Sequence, residues 1–132
     1  KRTVLRPVKT GGDEWVEKSA RMIDGGNCRG AYEAIKPVVK SVDCKNADLL
    51  YNAGVSVECM AWKRALKQET RARYLQEAEK YYRRAAALAP GDGDMQRASR
   101  EVSYEVEAFF VSGSAQNDTR RERDRYKAPT GY

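Results

Sequence analysis

LLYNAGVSVECMAW (residues 49–62) and AEKYYRRAAALAP (residues 78–90) are the two halves of the stretch that decides the fold. Both halves repeat apolar and small side chains at helical spacing: Leu50, Ala53, Gly54 and Val57 in the first, and Ala78, Tyr82, Ala85 and Leu88 in the second. Small residues at the contact points let two helices approach closely and pack antiparallel. Pro90 then stops the second helix. The stretch therefore predicts a helical hairpin.

The same kind of pattern continues on the N-terminal side. Acidic residues favour a helix start at Asp13 or Glu14, and Gly25-Gly26-Asn27 ends that helix. A second helix is predicted from about Arg29 to Val42, and Pro37 should kink it without ending it. These two helices form a first predicted hairpin, residues 14–43.

The second predicted hairpin covers residues 46–90. Asn46 is a plausible N-cap for its first helix. Segment 63–73 contains no glycine or proline, so we expect both helices to extend into it, with a tight turn near residues 68–70. A fifth, capping helix follows at 94–112. The prediction is an all-α fold of about five helices, in one helical domain over residues 14–113.

Both ends differ in composition from this domain. Residues 1–13, KRTVLRPVKTGGD, predict an extended basic arm, because Pro7 and the Gly11-Gly12 pair oppose a helix. Val8 is one of the apolar residues with which the arm could dock, but a flexible terminus is the favoured interpretation. Residues 114–132 are polar and nearly free of aliphatic side chains, so we expect a disordered polar tail.

The net charge of +6 is concentrated in these ends. Residues 1–10 contribute four bases and no acid, and residues 114–132 contribute five bases and three acids. The basic pI of 9.3 invites a nucleic-acid-binding interpretation. Because the excess lies in the tails, binding to nucleic acid or an acidic surface through the basic terminal arms is kept as the alternative function.

The hairpin pattern occurs twice along the chain. Aligning Ala31 with Ala78 places Ile35 opposite Tyr82, Val38 opposite Ala85, and Asp43 opposite Pro90. Two copies of one hairpin indicate a solenoid. The second copy resembles the tetratricopeptide repeat (TPR) family: Ala78, Tyr82, Ala85 and Pro90 stand at its alanine, aromatic, alanine and proline positions, Gly54 at its glycine, and Trp15 at the tryptophan of the first copy.

The resemblance implies a short TPR-like α-solenoid of two stacked antiparallel hairpins and a capping helix. One departure is large, because Gly54 and Ala78 are 24 residues apart where the family has 12. The additional residues form an extension at 63–73, which a generic member lacks. We expect it to carry what is specific to this protein, with Trp62 and Tyr74 as the residues to test.

Three cysteines stand at positions 28, 44 and 59. In a stack of hairpins the turns near Cys28 and Cys59 point the same way, whereas Cys44 lies in the opposite set of turns. Fifteen helical residues span about 22 Å, which excludes a Cys44–Cys59 bond. A Cys28–Cys59 disulfide and three reduced cysteines, two of them small core residues, are the two alternatives.

No residue pattern assembles an active site. Histidine is absent, which removes the commonest general base and metal ligand. No CxxC pair is present, and no glycine-rich loop has phosphate-binding spacing. The sequence therefore predicts no enzyme activity, no cofactor and no metal.

The resemblance implies that the first helix of each hairpin lines a groove for a peptide or a partner helix. The expected lining residues are Glu17, Arg21, Tyr51, Asn52, Val55 and Glu58. The predicted function is a non-enzymatic protein–protein interaction adaptor or scaffold that assists assembly of a multiprotein complex in a bacterial cell envelope. The groove could instead hold the chain's own N-terminal arm or a second copy.

The expected location is the periplasm or an outer-membrane anchorage, with the cytoplasm as the alternative. The chain begins at Lys1 without a methionine, so a signal peptide or a lipid-bearing cysteine could have preceded it. No apolar run approaches the roughly 20 residues that a membrane span needs.

Overall fold

The computed structural model describes residues 6–63 and 65–127, with side chains through Val111. It contains five helices in this part of the chain: α1 (Glu14–Asp24), α2 (Cys28–Val39), α3 (Ala47–Ala61), α4 (Gln68–Leu88) and α5 (Gly93–Lys127). Each helix packs against the next one along the chain, and α1 also packs against α3. The described residues contain no strand, so the predicted all-α class is confirmed.

Helix starts follow local capping chemistry. The Asp13 carboxylate accepts hydrogen bonds from the backbone N–H groups of Trp15 and Val16, and Asn27 caps α2 through the N–H of Gly30. Asn46 caps α3 through the N–H of Leu49, as predicted. The Asn46 side chain also donates to Asp13, which connects the starts of α1 and α3.

Helix α3 is the centre of the core. Its residues from Leu49 to Glu58 are all buried, including polar ones. Gly54 lies against the Tyr82 ring of α4, so close that a Cβ on residue 54 would sit 2.5 Å from Tyr82 Cε1. Ala78 and Ala85 are also completely buried. The small residues at the hairpin contact therefore allow the close approach that their spacing predicted.

The connection between α3 and α4 differs from the prediction. Helix α3 ends at Ala61 and α4 begins at Gln68, so the connection ends before Gln68 and does not lie at 68–70. The reason is Arg71, whose guanidinium donates to the carbonyl oxygens of Ala61 (2.7 Å) and Lys63 (2.8 Å). It also lies over the Trp62 ring. The Arg71 side chain from α4 thus donates to carbonyl oxygens at the end of α3 that backbone N–H groups would have bonded if the helix had continued.

The C-terminal end also differs from the prediction. Helix α5 does not stop at 112 but continues past Gly113 to Lys127, so the expected disordered tail is wrong for 114–127. Residues 114–127 contain neither glycine nor proline. Elongating a helix that is already nucleated fixes one residue per hydrogen bond gained, so continuation is inexpensive. The rest of the predicted tail, 128–132, lies outside the described residues.

Cys28 and Cys59 form a disulfide, which decides between the two alternatives left open by the sequence. It joins the start of α2 to the end of α3. Cys44 is a free, half-buried thiol. Within the described residues, no helix has the length and apolar character needed to cross a membrane.

Candidate functional site

The N-terminal arm lies on the face formed by α3 together with parts of α1 and α5. We call residues 6–12 the arm segment and the surface beneath it the arm groove. Val8 packs against the core. The favoured interpretation of a flexible terminus is therefore wrong for residues 6–12, while Val4 and Leu5 lie outside the described residues.

Main-chain atoms of the arm are held by two side chains of α3. The Asn52 amide accepts a hydrogen bond from the Lys9 N–H (2.9 Å) and donates one to the Lys9 carbonyl oxygen (3.0 Å). The Tyr51 hydroxyl donates to the carbonyl oxygen of Pro7 (2.7 Å). None of these contacts depends on the arm's side chains, so this part of the groove recognises peptide backbone.

The Asn52 side chain is also held by hydrogen bonds to α1. Its amide nitrogen also donates to Ser19 Oγ (3.1 Å) and to the carbonyl oxygen of Val16 (3.4 Å), both on α1. Asn52 and Ser19 are completely buried. These contacts hold the amide from the α1 side, while its oxygen and nitrogen also bond to the arm.

The Arg6 side chain enters the groove between α3, α4 and α5. Its Nε lies 2.8 Å from Glu58 Oε1, and a second guanidinium nitrogen lies 3.3 Å from Glu58 Oε2. The same guanidinium lies 2.6 Å from Glu101 and 5.6 Å from the centre of the Tyr82 ring. Burial alone would lower the pKa of Arg6, but the contacts with Glu58, Glu101 and Tyr82 together outweigh it and the pKa is raised.

Glu58 is a carboxylate in the protein interior, with 1% of its surface exposed. Besides Arg6, it accepts a hydrogen bond from the Tyr82 hydroxyl (2.8 Å). Burial, followed by the negative charge of Glu58, raises the pKa of Tyr82 well above its ordinary value. Tyr82 therefore stays protonated and donates at neutral pH. The arm supplies the cation that this buried carboxylate requires.

Lys9 makes the second ionic contact of the arm. Its ammonium lies 2.9 Å from Asp92 and 3.2 Å from Asp94, at the turn into α5. It also lies 5.5 Å from the centre of the Tyr51 ring. Two cations of the arm thus face four carboxylates of the domain, which makes the groove and the arm complementary in charge.

The predicted groove residues divide into three groups. Tyr51, Asn52 and Glu58 contact the arm directly, and Val55 is buried between them in the core. Glu17 also contacts the arm directly, because it accepts a hydrogen bond from the N–H of Gly11 (2.7 Å). Arg21 is exposed on α1.

Sequence reasoning missed the charged partners Arg6, Lys9, Asp92, Asp94 and Glu101. A signal was present, since the acid-free basic arm is matched by the DGD acids after Pro90. Nothing in the sequence shows that segments more than 80 positions apart lie together, so the pairing of these charges could not be predicted.

The extension residues are part of the packing. Trp62 and Tyr74 are partly buried and lie against the core. Tyr74 also lines an open cleft between α2 and α4, together with Lys40 and Arg84. On the α2–α4 contact, the Tyr32 hydroxyl bonds to Glu77 and to the Tyr81 hydroxyl. In the part of the chain that the structure describes, no cluster of three or more acidic, cysteine or histidine side chains could hold a metal.

Comparisons with protein-family models, with curated proteins and with solved structures find no match to this chain.

Proposed function

We propose that this protein is a non-enzymatic adaptor that binds peptide segments of partner proteins and thereby assists assembly of a multiprotein complex. The observation that carries the proposal is the two-way hydrogen bonding of the buried Asn52 amide to the backbone of Lys9. A buried side chain that satisfies both polar groups of one peptide unit is suited to holding a segment without regular structure.

The TPR resemblance is part of this proposal. It is supported by Gly54, which meets the Tyr82 ring at the helix contact, and by Ala78 and Ala85, which are fully buried. In this interpretation α1, α3 and the start of α5 are the groove-lining helices of a short array, and the long α4 carries the extension.

The Cys28–Cys59 disulfide supports an oxidising compartment, and we propose the bacterial periplasm or an outer-membrane anchorage. Thiol trapping in the native cell tests this. A protected Cys28–Cys59 pair beside an alkylated Cys44 agrees with the proposal, and three alkylated cysteines would oppose it.

The alternative, nucleic-acid binding through the arms, is less well supported, because Arg6 and Lys9 are already paired with carboxylates of the domain. The two functions differ in salt dependence. Nucleic-acid binding loses affinity steeply as salt rises, because phosphate neutralisation releases counterions. A filter-binding assay over a range of salt concentrations would reveal such a slope.

The adaptor function is tested by crosslinking the full chain in the native organism and identifying the captured proteins. We expect one set of partners with native protein, which a synthetic peptide of residues 1–12 reduces. Trp62→Ala and Tyr74→Ala test the extension in the same assay. Recovery of the same proteins with an unrelated basic bait would contradict the adaptor function.

A further inference from the structure

The arm groove recognises more than peptide backbone, because two of its contacts depend on side chains at a set spacing. Glu58 and Asn52 are six residues apart on α3, about 9 Å along the helix. The arm covers this interval with the three-residue step from Arg6 to Lys9, which reaches about 10 Å only when nearly extended. The groove thus holds the Arg6 side chain three residues from the backbone unit that Asn52 binds, and Lys9, which belongs to that unit, extends its ammonium to Asp92 and Asp94.

The first of the two side-chain positions is specific for a guanidinium. Glu58 meets Arg6 through both carboxylate oxygens, the Tyr82 ring lies on its face, and Glu101 meets a further nitrogen. A planar fork with several donors matches these partners, whereas an ammonium is a point charge and would leave part of them unmet. A neutral side chain here would remove the ion pair that Arg6 makes with the buried Glu58.

The second position is less exacting. Asp92, just before α5, and Asp94, in its first turn, are partly exposed and lie close to the Lys9 ammonium. A lysine or an arginine satisfies this pair of carboxylates. Between the two positions the Tyr51 hydroxyl needs only a carbonyl oxygen, which proline retains.

The link between the arm and α1 leaves the arm separable from the domain. Gly11 and Gly12 have positive φ angles of 96° and 78°, and a Cβ at either position would meet nothing within 4 Å. The chain therefore turns between the arm and α1 through glycine backbone conformations and not through side-chain packing. Two hydrogen bonds hold this link, from the Gly11 N–H to Glu17 and from the Asp13 N–H to the Gly11 carbonyl oxygen. The arm is thus a ligand on a short tether, present at an effective concentration on the order of millimolar.

We propose that the arm groove is a binding site for a partner's extended segment that carries Arg and Lys three residues apart, and that the chain's own arm is the resident competitor for this site. The inference rests on the proposed function and names its ligand class. A partner segment with the same two cations makes the same contacts, and its capture requires that the arm leave the groove.

The test uses the full chain and a fluorescent peptide of residues 1–12. The variant Arg6→Ala/Lys9→Ala weakens the resident arm but leaves the groove unchanged. We expect fluorescence anisotropy to show at least about ten-fold tighter peptide binding to this variant than to native protein, because the tethered competitor is lost. Lys9→Ala alone retains the buried Arg6–Glu58 pair and should show a smaller gain in the same direction, which keeps the test valid if the double variant unfolds.

Three controls define the specificity. A peptide with both cations replaced by alanine, and a peptide with the arginine moved by one position, should each bind at least about ten-fold more weakly. Adding Glu58→Gln to the double variant should abolish the gain, whereas adding the exposed Arg21→Ala should not. Equal binding of all peptides, or no binding to a folded Lys9→Ala variant, would overturn the proposal.

The oligomeric state distinguishes a second copy from a partner. Zero-length crosslinking of Lys9 to Asp92 or Asp94 in a mixture of isotopically light and heavy chains should give products within one chain. Mixed products would mean that a second copy supplies the arm and would overturn the assignment of a resident competitor. If the peptide fails to bind while native partners are still captured, this inference falls and the adaptor function stands. If the peptide binds but no native partner is captured, the binding site stands and the adaptor function falls.

Discussion

Asn52 is the residue at which the arm, α1 and α3 meet. Its amide makes four hydrogen bonds, two to Lys9 and two to α1. Truncation leaves buried polar groups on both sides without a partner, at a cost of about 1–3 kcal/mol. We expect Asn52→Ala to lower the free energy of unfolding by about 1–3 kcal/mol in urea denaturation.

The matched control for this prediction is Arg21→Ala on the exposed face of α1, which should change stability by about 0.5 kcal/mol or less. Equal stability of the Asn52→Ala variant and native protein would show that the amide contacts contribute nothing net.

Gly54 tests the closeness of the α3–α4 contact. A methyl group here would overlap the Tyr82 ring, which is fully buried and bonded to Glu58, so it has little freedom to move. Overpacking costs about 1–3 kcal/mol and outweighs the gain of about 1 kcal/mol in helix propensity. We expect Gly54→Ala to lower the urea midpoint, while Gly93→Ala, where a Cβ meets open space, leaves it unchanged or higher.

At the scale of elements, Arg71 sets the end of α3. It bonds to the carbonyl oxygens of Ala61, the last residue of α3, and of Lys63 just after it, a geometry that a lysine cannot reproduce. We expect Arg71→Lys to cost about 1–3 kcal/mol and to speed hydrogen exchange at the amides of Trp62 and Lys63. The exposed Arg73→Lys serves as the control, and unchanged exchange in the Arg71 variant would contradict this capping role.

The disulfide is the second element-scale constraint. It closes a loop with a sequence separation of 31, for which chain entropy predicts about 4 kcal/mol of stabilisation. We expect Cys28→Ala/Cys59→Ala to lose about that amount and to become insensitive to a reductant. Native protein and Cys44→Ser should both be destabilised by the reductant. An unchanged denaturation curve for native protein under reduction would contradict a stabilising disulfide.

At the scale of the whole molecule, docking of the arm depends on charge and hence on pH. Burial would raise the pKa of Asp92, but the hydrogen bonds and the charge of Lys9 contribute to lowering it. The hydrogen bond from Arg6 lowers the pKa of Glu101, and burial opposes this only in part. Burial likewise opposes the raised pKa of Lys9, which its two aspartates produce. The two carboxylates contribute their full stabilisation of the fold above their ordinary pKa values of 3.8 and 4.5. This contribution is lost as the pH falls through their lower pKa values in the folded protein.

The pH dependence of the Lys9 contribution to stability has the opposite direction. Its contribution is complete below its ordinary value of 10.5 and is lost as pH rises through the higher folded value. We expect the stability difference between native protein and Lys9→Met to be constant from about pH 5 to 10 and to shrink below about pH 4. Lys80→Met on exposed α4 should show no such change. A difference that grows towards acid pH would exclude the ionic contact.

Local signals accounted for most of the helices. Asn46 and the glycines after Asp24 mark termini that depend on neighbouring residues alone. The turn between α3 and α4 was misplaced because Arg71 caps α3 from the next helix. The end of α5 was misplaced because a lone glycine, Gly113, does not stop a helix that is already formed.

The candidate site was predicted on one side only. Tyr51, Asn52 and Glu58 were expected to line a groove because they lie on the first helix of a repeated hairpin. Their ligand, Arg6, lies 52 positions from Glu58 and 95 from Glu101. Contacts at such separations follow from chain topology, which charge patterns do not encode.

The sequence by itself determined the helical hairpins, because periodicity and small residues at Gly54, Ala78 and Ala85 act through neighbours on one helix and its close partner. Only the tertiary structure decided that the basic arm lies in the groove and that the Cys28–Cys59 disulfide forms in place of three reduced cysteines. The physical reason is that a buried carboxylate specifies the need for a cation, whereas the folded arrangement of α1, α3 and α5 specifies which cation can reach it.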